Sequence, residues 1–410
     1  MKVVSGLKAS IEENVITPQR PMKVCMYILM KARKEVRAMR AASALVEAGY
    51  TVSVIDVECE PTLPHEEYLS GIRMKHMIIP NWFTARRFQP WFFLVAIRVF
   101  ILSIWNLFRS QADIYHAHEL TALPASFIIA KLRRKPLIFE AYELHLPVPE
   151  TGVAFWRLLG GLLMRLLAVI LPHCQGVIAA SPLYAQELRK RYHLSEVLAI
   201  RNVPMYRKVA KTERLRQLLE LEPDTYIALY QGSLQPNRAL EKLVYAARFL
   251  ERNSVIVMMG DAIGNTRVEL EALIASEGVT DRVKILSAVP YEELLEWTAS
   301  ADIGLAIFPP NYSLSIRMTQ PNKLFEYLMA GLPVLSAQLD AIVDVIRTYD
   351  AGRVVSSLEP TDLAAAINAM LTDKAALERM HDNALKAAQN CCWERDSLLL
   401  LHLYQQILAR

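Results

Sequence analysis

Short apolar runs of β type alternate with helical stretches along nearly the whole chain, and the alternation runs through twice. In the first half the runs are 23-KVCMYILM, 51-TVSVIDV, 76-HMII, 113-DIYHA, 136-PLIFEAY and 176-GVIAA, with helical segments over 34–48, 88–109, 119–134, 154–170 and 182–192. The pattern pauses at 201-RNVPMYRK and restarts with 226-YIALYQ, 254-SVIVMMG, 283-VKIL, 302-DIGLAIF, 333-PVLSA and 353-RVV; residues 360–409 are all helical. Strands that alternate with helices form parallel sheets wound on both faces. A chain of 410 residues exceeds what one core usually serves. The expectation is therefore an α/β protein of two Rossmann-like, doubly wound domains facing a central cleft. An arm over 1–21 precedes a domain over 22–205 and a second over 206–390. A C-terminal helix over 391–410 is expected to cross back to the first domain.

Charge divides the halves. Residues 1–205 carry 25 Lys and Arg against 16 Asp and Glu, a net of +9, whereas residues 206–410 have a net of −5. The basic half predicts an anionic partner, either a membrane surface or a phosphorylated acceptor. No base-reading basic helix or nucleic-acid motif is present, so nucleic acid is not expected. The five cysteines form no metal spacing and read as reduced thiols of a cytoplasmic protein. The polar start lacks the apolar core of a signal peptide. The most apolar stretches, 91-WFFLVAIRVFILSIWNLF and 153-VAFWRLLGGLLMRLLAVIL, are interrupted by Arg98, Arg157 and Arg165. Arginine at the middle of a span is costly in hydrocarbon, so both read as core or membrane-surface helices.

In open parallel sheets ligands bind beyond the carboxyl ends of the strands. Two loops there are built for an anion. In 321-PNKLFEYLMAGLPVLS, Asn322 is the expected helix cap, and the amides of Lys323, Leu324 and Phe325 open a helix that Gly331 stops. Those amides suit a phosphate or diphosphate. Glu326, one turn in, is placed to accept hydrogen bonds from sugar hydroxyls. The plainer alternative is a dipole-complementing Glu326 and a solvated Lys323. In 229-LYQGSLQPNRALE, Gly232 and Ser233 allow close backbone approach, and Arg238 suits a diphosphate. An ordinary turn with a surface arginine is the alternative there.

Taken together these stretches resemble the retaining nucleotide-sugar glycosyltransferases of family 4, which have the GT-B fold. The resemblance rests on 115-YHAHEL, 229-LYQGSLQPNRALE, 300-SADIGLAIFPP, PNKLFEYLMAGLPVLS and 393-WERD, and covers nearly the whole chain. It implies that Glu326 binds the donor ribose. It further implies that Gly232, Ser233, Arg238 and the amides at Asn322, Lys323 and Leu324 hold the diphosphate, and that the base lies against 283-VKILSA. The chain departs from the family pattern at several points. Met318 stands where many members have a glutamate, Ser233 where an arginine is common, and Ala239 where a glycine is usual. In 140-EAYELH, Tyr142 replaces a histidine near the reacting carbon while Glu143 is retained; His145 follows three residues on.

The expected chemistry is transfer of a sugar from a nucleotide-diphosphate sugar to a glycan, glycolipid or lipid-linked acceptor, with retention. Tyr142, Glu143 and His118 form the catalytic set, and His116 and Arg37 lie on the acceptor side. Stabilising charge on the leaving phosphate falls to the helix mouth, Arg238 and Lys323, so no cofactor or metal is expected. His116 and His118 would share one face of a strand, but no third ligand of suitable spacing is evident. The spacing of 260-GDAIG does not make a dinucleotide fingerprint. The rival readings are a non-catalytic nucleotide-sugar-binding subunit and, on the same fold, a nucleotide-sugar epimerase. The protein is expected in the cytoplasm, peripheral on the inner face of the membrane.

Overall fold

The computed structural model describes residues 21–79, 91–142, 154–309 and 314–409. The chain forms two compact units, one of Met1–Arg201 with Asp396–Arg410 and one of Asn202–Arg395.

The first unit holds an eight-stranded sheet of β1 (Lys23–Ile28), β2 (Thr51–Glu58), β3 (Glu66–Leu69), β4 (Ile72–Ile78), β5 (Ile114–His118), β6 (Leu137–Ala141), β7 (Gly176–Ala179) and β8 (Leu198–Ala199). The spatial order is 3-4-2-1-5-6-7-8. Every pair is parallel except β3–β4, an antiparallel edge. Its helices are α1 (Val36–Glu47), α2 (Trp91–Ser110), α3 (Glu119–Arg133), α4 (Ala154–Ile170) and α5 (Pro182–Tyr192). The Ser181-Pro182 signal starts α5: the Ser181 hydroxyl accepts from the Tyr184 amide at 3.1 Å, with Pro182 at the first helical position.

The second unit holds β9 (Tyr226–Gln231), β10 (Ser254–Met259), β11 (Val283–Leu286), β12 (Ile303–Ala306), β13 (Val334–Ser336) and β14 (Gly352–Val354). All pairs are parallel, in the order 11-10-9-12-13-14. Its helices are α6 (Arg214–Leu218), α7 (Leu240–Ala246), α8 (Thr266–Ser276), α9 (Tyr291–Thr298), α10 (Leu314–Met318), α11 (Asn322–Met329), α12 (Asp340–Tyr349), α13 (Pro360–Thr372) and α14 (Lys374–Asn390). Strands covered on both faces are apolar throughout, as in β10, where all six residues of SVIVMM are buried.

The last helix, α15 (Trp393–Ala409), begins in the second unit and continues in the first. Its start is tied to the 201–206 segment. Asp396 accepts from the Arg201 amide at 2.7 Å and from its guanidinium, and Glu394 accepts from the Tyr206 amide at 3.0 Å. Further on, Leu403 lies against Gly176, where an added Cβ would come within 3.1 Å of it. In each sheet the winding reverses once, between β1 and β5 and between β9 and β12. The loops leaving those strands diverge there, which makes the two switch points the places to look for ligand chemistry.

Candidate active site

In the second unit β9 ends at Gln231, and Gly232 turns the chain at φ +119°. The end of β10 presses on this turn. A Cβ at Gly260 would sit 2.0 Å from the Gly232 carbonyl oxygen, so only glycine fits there. The loop then passes Asn237 and Ala239, both at positive φ, into α7. Arg238, between them, lies with its guanidinium 5.0 Å from the centroid of Phe308, which follows β12.

Lys323 enters the same space from α11. Its ammonium is 3.7 Å from the Tyr230 ring centroid and 5.0 Å from that of Phe308, and it packs beside Gly232. Such ring faces attract a cation without neutralising it. Burial first, then the neighbouring Arg238, push the Lys323 ammonium down to about 7, against the pull of Glu326. Among the described residues neither Arg238 nor Lys323 makes an ion pair. Two cations therefore converge at the switch point, and among the described residues neither is ion-paired; Glu326 acts on Lys323 only through its field.

The mouth of α11 differs by one residue from the sequence expectation. Pro321, with φ −71° and ψ 150°, is the cap, Asn322 is the first helical residue, and no side chain caps the end. The fixed φ of proline sets the entry that an asparagine side chain would otherwise hold. The Leu324 amide already donates to the Pro321 carbonyl at 3.0 Å, so the helix mouth is opened by the Asn322 and Lys323 amides and not by that of Leu324. Nor is Lys323 a solvated charge; it and Glu326 are both buried. The Gln231 side-chain amide donates to Glu326 Oε2 at 2.5 Å, while its carbonyl accepts from the Thr298 hydroxyl at 2.6 Å. The Gln231 backbone amide donates in turn to the Tyr327 hydroxyl at 2.8 Å. Glu326 is thus held at one oxygen by a chain of bonds anchored in β9. Ser233 is exposed, its hydroxyl 3.5 Å from the Asp261 carbonyl, and Met318 is the half-buried last residue of α10.

At the first unit's switch point the charges are already paired. His116 and His118 stack with centroids 4.1 Å apart. The register of β5 on β6 sets His118 beside Glu140. The Arg37 guanidinium donates to Glu140 Oε1 and, at 2.7 Å, to the Ile200 carbonyl. Glu140 Oε2 lies 3.1 Å from His118 Nδ1 and 3.4 Å from His116 Nε2. Burial alone would raise the Glu140 carboxyl, but Arg37 and both imidazoles hold it well below the usual range. Burial, with the stacked His118, takes His116 down to about 4, so it is neutral. Its Nδ1 meets the Tyr404 hydroxyl of α15 at 2.9 Å.

Arg37 and His116 are therefore interior groups acting on Glu140 rather than side chains lining an acceptor surface. Tyr142 is half-buried, its hydroxyl 2.9 Å from His118 Nδ1 and its amide bonded to Glu119 at 2.7 Å. Burial, and then Glu140, raise the Tyr142 phenol well above its ordinary value, which makes it a hydrogen-bond donor and not a base. Glu143 and His145 lie outside the described residues.

A third ligand for His116 and His118 does exist, contrary to the spacing argument. Glu140 comes from the neighbouring strand, and the three ligand atoms lie within 4.8 Å of one another. A divalent ion there would meet the Arg37 guanidinium, which already supplies the positive charge at Glu140. Sequence reasoning also missed Tyr230, Gln231, Phe308 and Tyr404. Each sits in or beside an apolar run, and only tertiary packing gives it a role, as when α15 brings Tyr404 to His116.

Two family models match the chain: "Glycosyltransferase Family 4" over residues 35–202 and "Glycosyl transferases group 1" over residues 211–387. A D-inositol 3-phosphate glycosyltransferase of Streptomyces bingchenggensis is 23% identical over 393 residues, 88% of this chain and 83% of that protein. The protein of the same description from Nocardia farcinica is 30% identical over 201 residues, 47% of this chain and 43% of its own length. The chain thus spans about half the length of several curated relatives that it matches. Among solved structures, sucrose-phosphate synthase from Thermosynechococcus elongatus superposes with a TM-score of 0.72 at 18% identity, covering 95% of this chain and 99% of that one. HepE from Anabaena, in complex with UDP and glucose, does so with a TM-score of 0.65 at 16% identity and the same coverage. Both likenesses concern the fold.

Proposed function

This chain belongs to family 4 of the glycosyltransferases and has the GT-B fold, and we propose that it transfers a sugar from a nucleoside-diphosphate sugar to a glycan, glycolipid or lipid-linked acceptor with retention of anomeric configuration. The observation that carries the reading is the pair Arg238 and Lys323, converging on Tyr230 and Phe308 with no ion pair among the described residues; the one side-chain acceptor that those residues bring to Arg238 is the neutral Gln235 amide oxygen, at 2.7 Å from Nε. A diphosphate supplies the missing charge. In this reading Arg238, Lys323 and the first amides of α11 neutralise the leaving phosphate, and no divalent ion is needed. Gly232 and Ser233 offer backbone to the same group. Glu326, fixed at Oε2 by Gln231, accepts from the ribose hydroxyls, and the base lies against 283-VKILSA.

In the first unit Tyr142 and His118 orient the incoming hydroxyl, and Glu140 and Arg37 hold them in place. The curated relatives are named for an inositol phosphate acceptor; an acceptor carrying negative charge suits the net +9 of residues 1–205. A lipid-linked acceptor would bring the protein to the inner face of a membrane as a peripheral protein.

The test is a thermal-shift panel of UDP, GDP, ADP, TDP and CMP. One nucleoside diphosphate at about 100 times its dissociation constant is expected to add roughly 2.7 kcal/mol. Loss of that shift in Glu326→Ala would support the ribose contact. No shift with any member of the panel would overturn the reading. The rival, a binding subunit without turnover, predicts the shift but no sugar transfer.

A further inference from the structure

Three helices of the first unit follow strands that step in one direction across the sheet: α2 leads from β4 to β5, α3 from β5 to β6 and α4 from β6 to β7. Right-handed crossovers place all three on the same face. They touch as that predicts. The Arg133 guanidinium of α3 lies 4.2 Å over the Phe108 ring of α2, and Phe127 of α3 sits 6.1 Å from His173, just beyond α4.

The inner edge of α2 is conventional, with Val99, Ser103 and Leu107 buried at helical spacing. The outer edge is not polar. Leu94, Ile97, Ile101, Trp105 and Phe108 form a second stripe, with Leu94 58%, Ile101 61% and Trp105 57% exposed. It continues on α3 through Leu132, 67% exposed, and on α4 through Leu162 and Val169, the latter 63% exposed. A solvent-facing helix layer ordinarily presents mixed charges. Here the exposed charges on these helices, Arg98, Arg109, Lys131 and Arg165, are all basic. Glu119 is the one acid in the three helices, and it is engaged with the Tyr142 amide.

We infer that this α2–α3–α4 face docks onto an anionic bilayer surface, with the apolar stripe at the acyl boundary and the arginines and lysine at the headgroups. The inference deepens the reading of a membrane-side acceptor and rests on it for its purpose, though not for its evidence. Exposed apolar residues with a Trp and only basic charges are the composition of an interfacial helix. Among the described residues no helix is long and apolar enough to cross a membrane, so the face lies on the surface rather than spanning it. A second copy on this face in a two-fold dimer would set arginines against arginines, whereas anionic headgroups complement them.

The test is flotation of the full chain with phosphatidylcholine vesicles, with and without phosphatidylglycerol, at low and high salt. The wild type is expected to rise with the anionic vesicles at low salt and to lose about tenfold of its bound fraction in high salt or on neutral vesicles. Ile101→Glu/Trp105→Glu and, separately, Arg98→Glu/Arg109→Glu should each lose about tenfold on anionic vesicles. Circular dichroism melting checks that these surface variants remain folded. A wild type that stays at the bottom, variants that float as well as it does, or a solution dimer that Ile101→Glu/Trp105→Glu dissolves would each overturn the inference. An intact nucleotide shift without flotation would sink the docking face alone. Flotation without any nucleotide shift would sink the transferase reading alone.

Discussion

The two switch points hold the same kinds of residue in opposite states of charge balance. In the first unit Arg37, Glu140, His116, His118 and Tyr142 are bonded or paired among themselves. In the second, Arg238 and Lys323 are gathered over aromatic rings, and among the described residues neither makes an ion pair. Lys323 is buried and Arg238 half-buried, and a buried charge left unpaired is costly unless a ligand completes it. The first arrangement balances its own charge while leaving Arg37 Nη1, Glu140 Oε2, His116 Nε2 and His118 Nε2 without hydrogen-bond partners among the described residues; the second is a site whose charge an anion balances. Mutations should separate them cleanly, because removing a charge damages the first and relieves the second.

The largest effect expected is on stability. Glu140→Gln leaves the Arg37 guanidinium buried without its counter-ion, and breaking such a pair costs roughly 3–5 kcal/mol. Urea unfolding of the purified variant measures it; a change within error of zero would mean the cluster is not charge-balanced as described. The mirror experiment is Lys323→Met. It removes an unpaired buried cation, so stability should hold or rise, while affinity for the nucleoside diphosphate falls by about tenfold or more, the value of a hydrogen bond to a charged group. Isothermal titration reads the affinity, and unchanged binding would remove Lys323 from the anion site.

Protonation sharpens the same contrast. The folded Lys323 titrates near 7 rather than at its ordinary 10.5. Between those values the unfolded chain holds a proton that the folded chain has released, so stability rises with pH through this window, and the penalty is full below it. Lys323→Met should flatten that rise. A bound diphosphate favours the charged ammonium, so nucleotide binding should take up a proton and weaken as pH climbs past 7. Titration in buffers of different ionisation heat detects the uptake; its absence, with binding intact, would place the phosphate away from Lys323.

Much of the fold was legible because parallel strands buried on both faces read as unbroken apolar runs, as 254-SVIVMM does. The edge strand β3 was not legible. Its residues, EEYL, have no buried face; it is defined by pairing with β4, helped by Arg73 across to Glu66 at 2.7 Å. The two anion-ready loops were visible in sequence because proline, glycine and asparagine punctuate them. The groups that complete them were not. Gln231 and Glu140 look like interruptions in strands until α11 and α9 bring Glu326 and Thr298 to the end of β9, and β5 is set beside β6. The third ligand-type side chain beside His116 and His118 was hidden for the same reason, since adjacency across a sheet leaves no spacing along the chain.

The smallest effect concerns Ala239, the position at which the family pattern usually has glycine. Ala239 adopts φ +57° and ψ 29° as the cap of α7, directly after Arg238. A residue with a Cβ in this region carries strain of roughly 1–2 kcal/mol, which glycine avoids. Glycine also loses more conformational freedom on folding, which returns part of that gain. Ala239→Gly is therefore expected to stabilise the second unit by about 0.5–1 kcal/mol while leaving Arg238 in place. Thermal melting with and without nucleotide tests both halves of the statement. A stabilised variant with unchanged affinity would show that the alanine only strains the turn. A stabilised variant that binds more weakly would show that the strained alanine holds Arg238 at the angle the anion needs, and would make the departure from glycine part of the binding site.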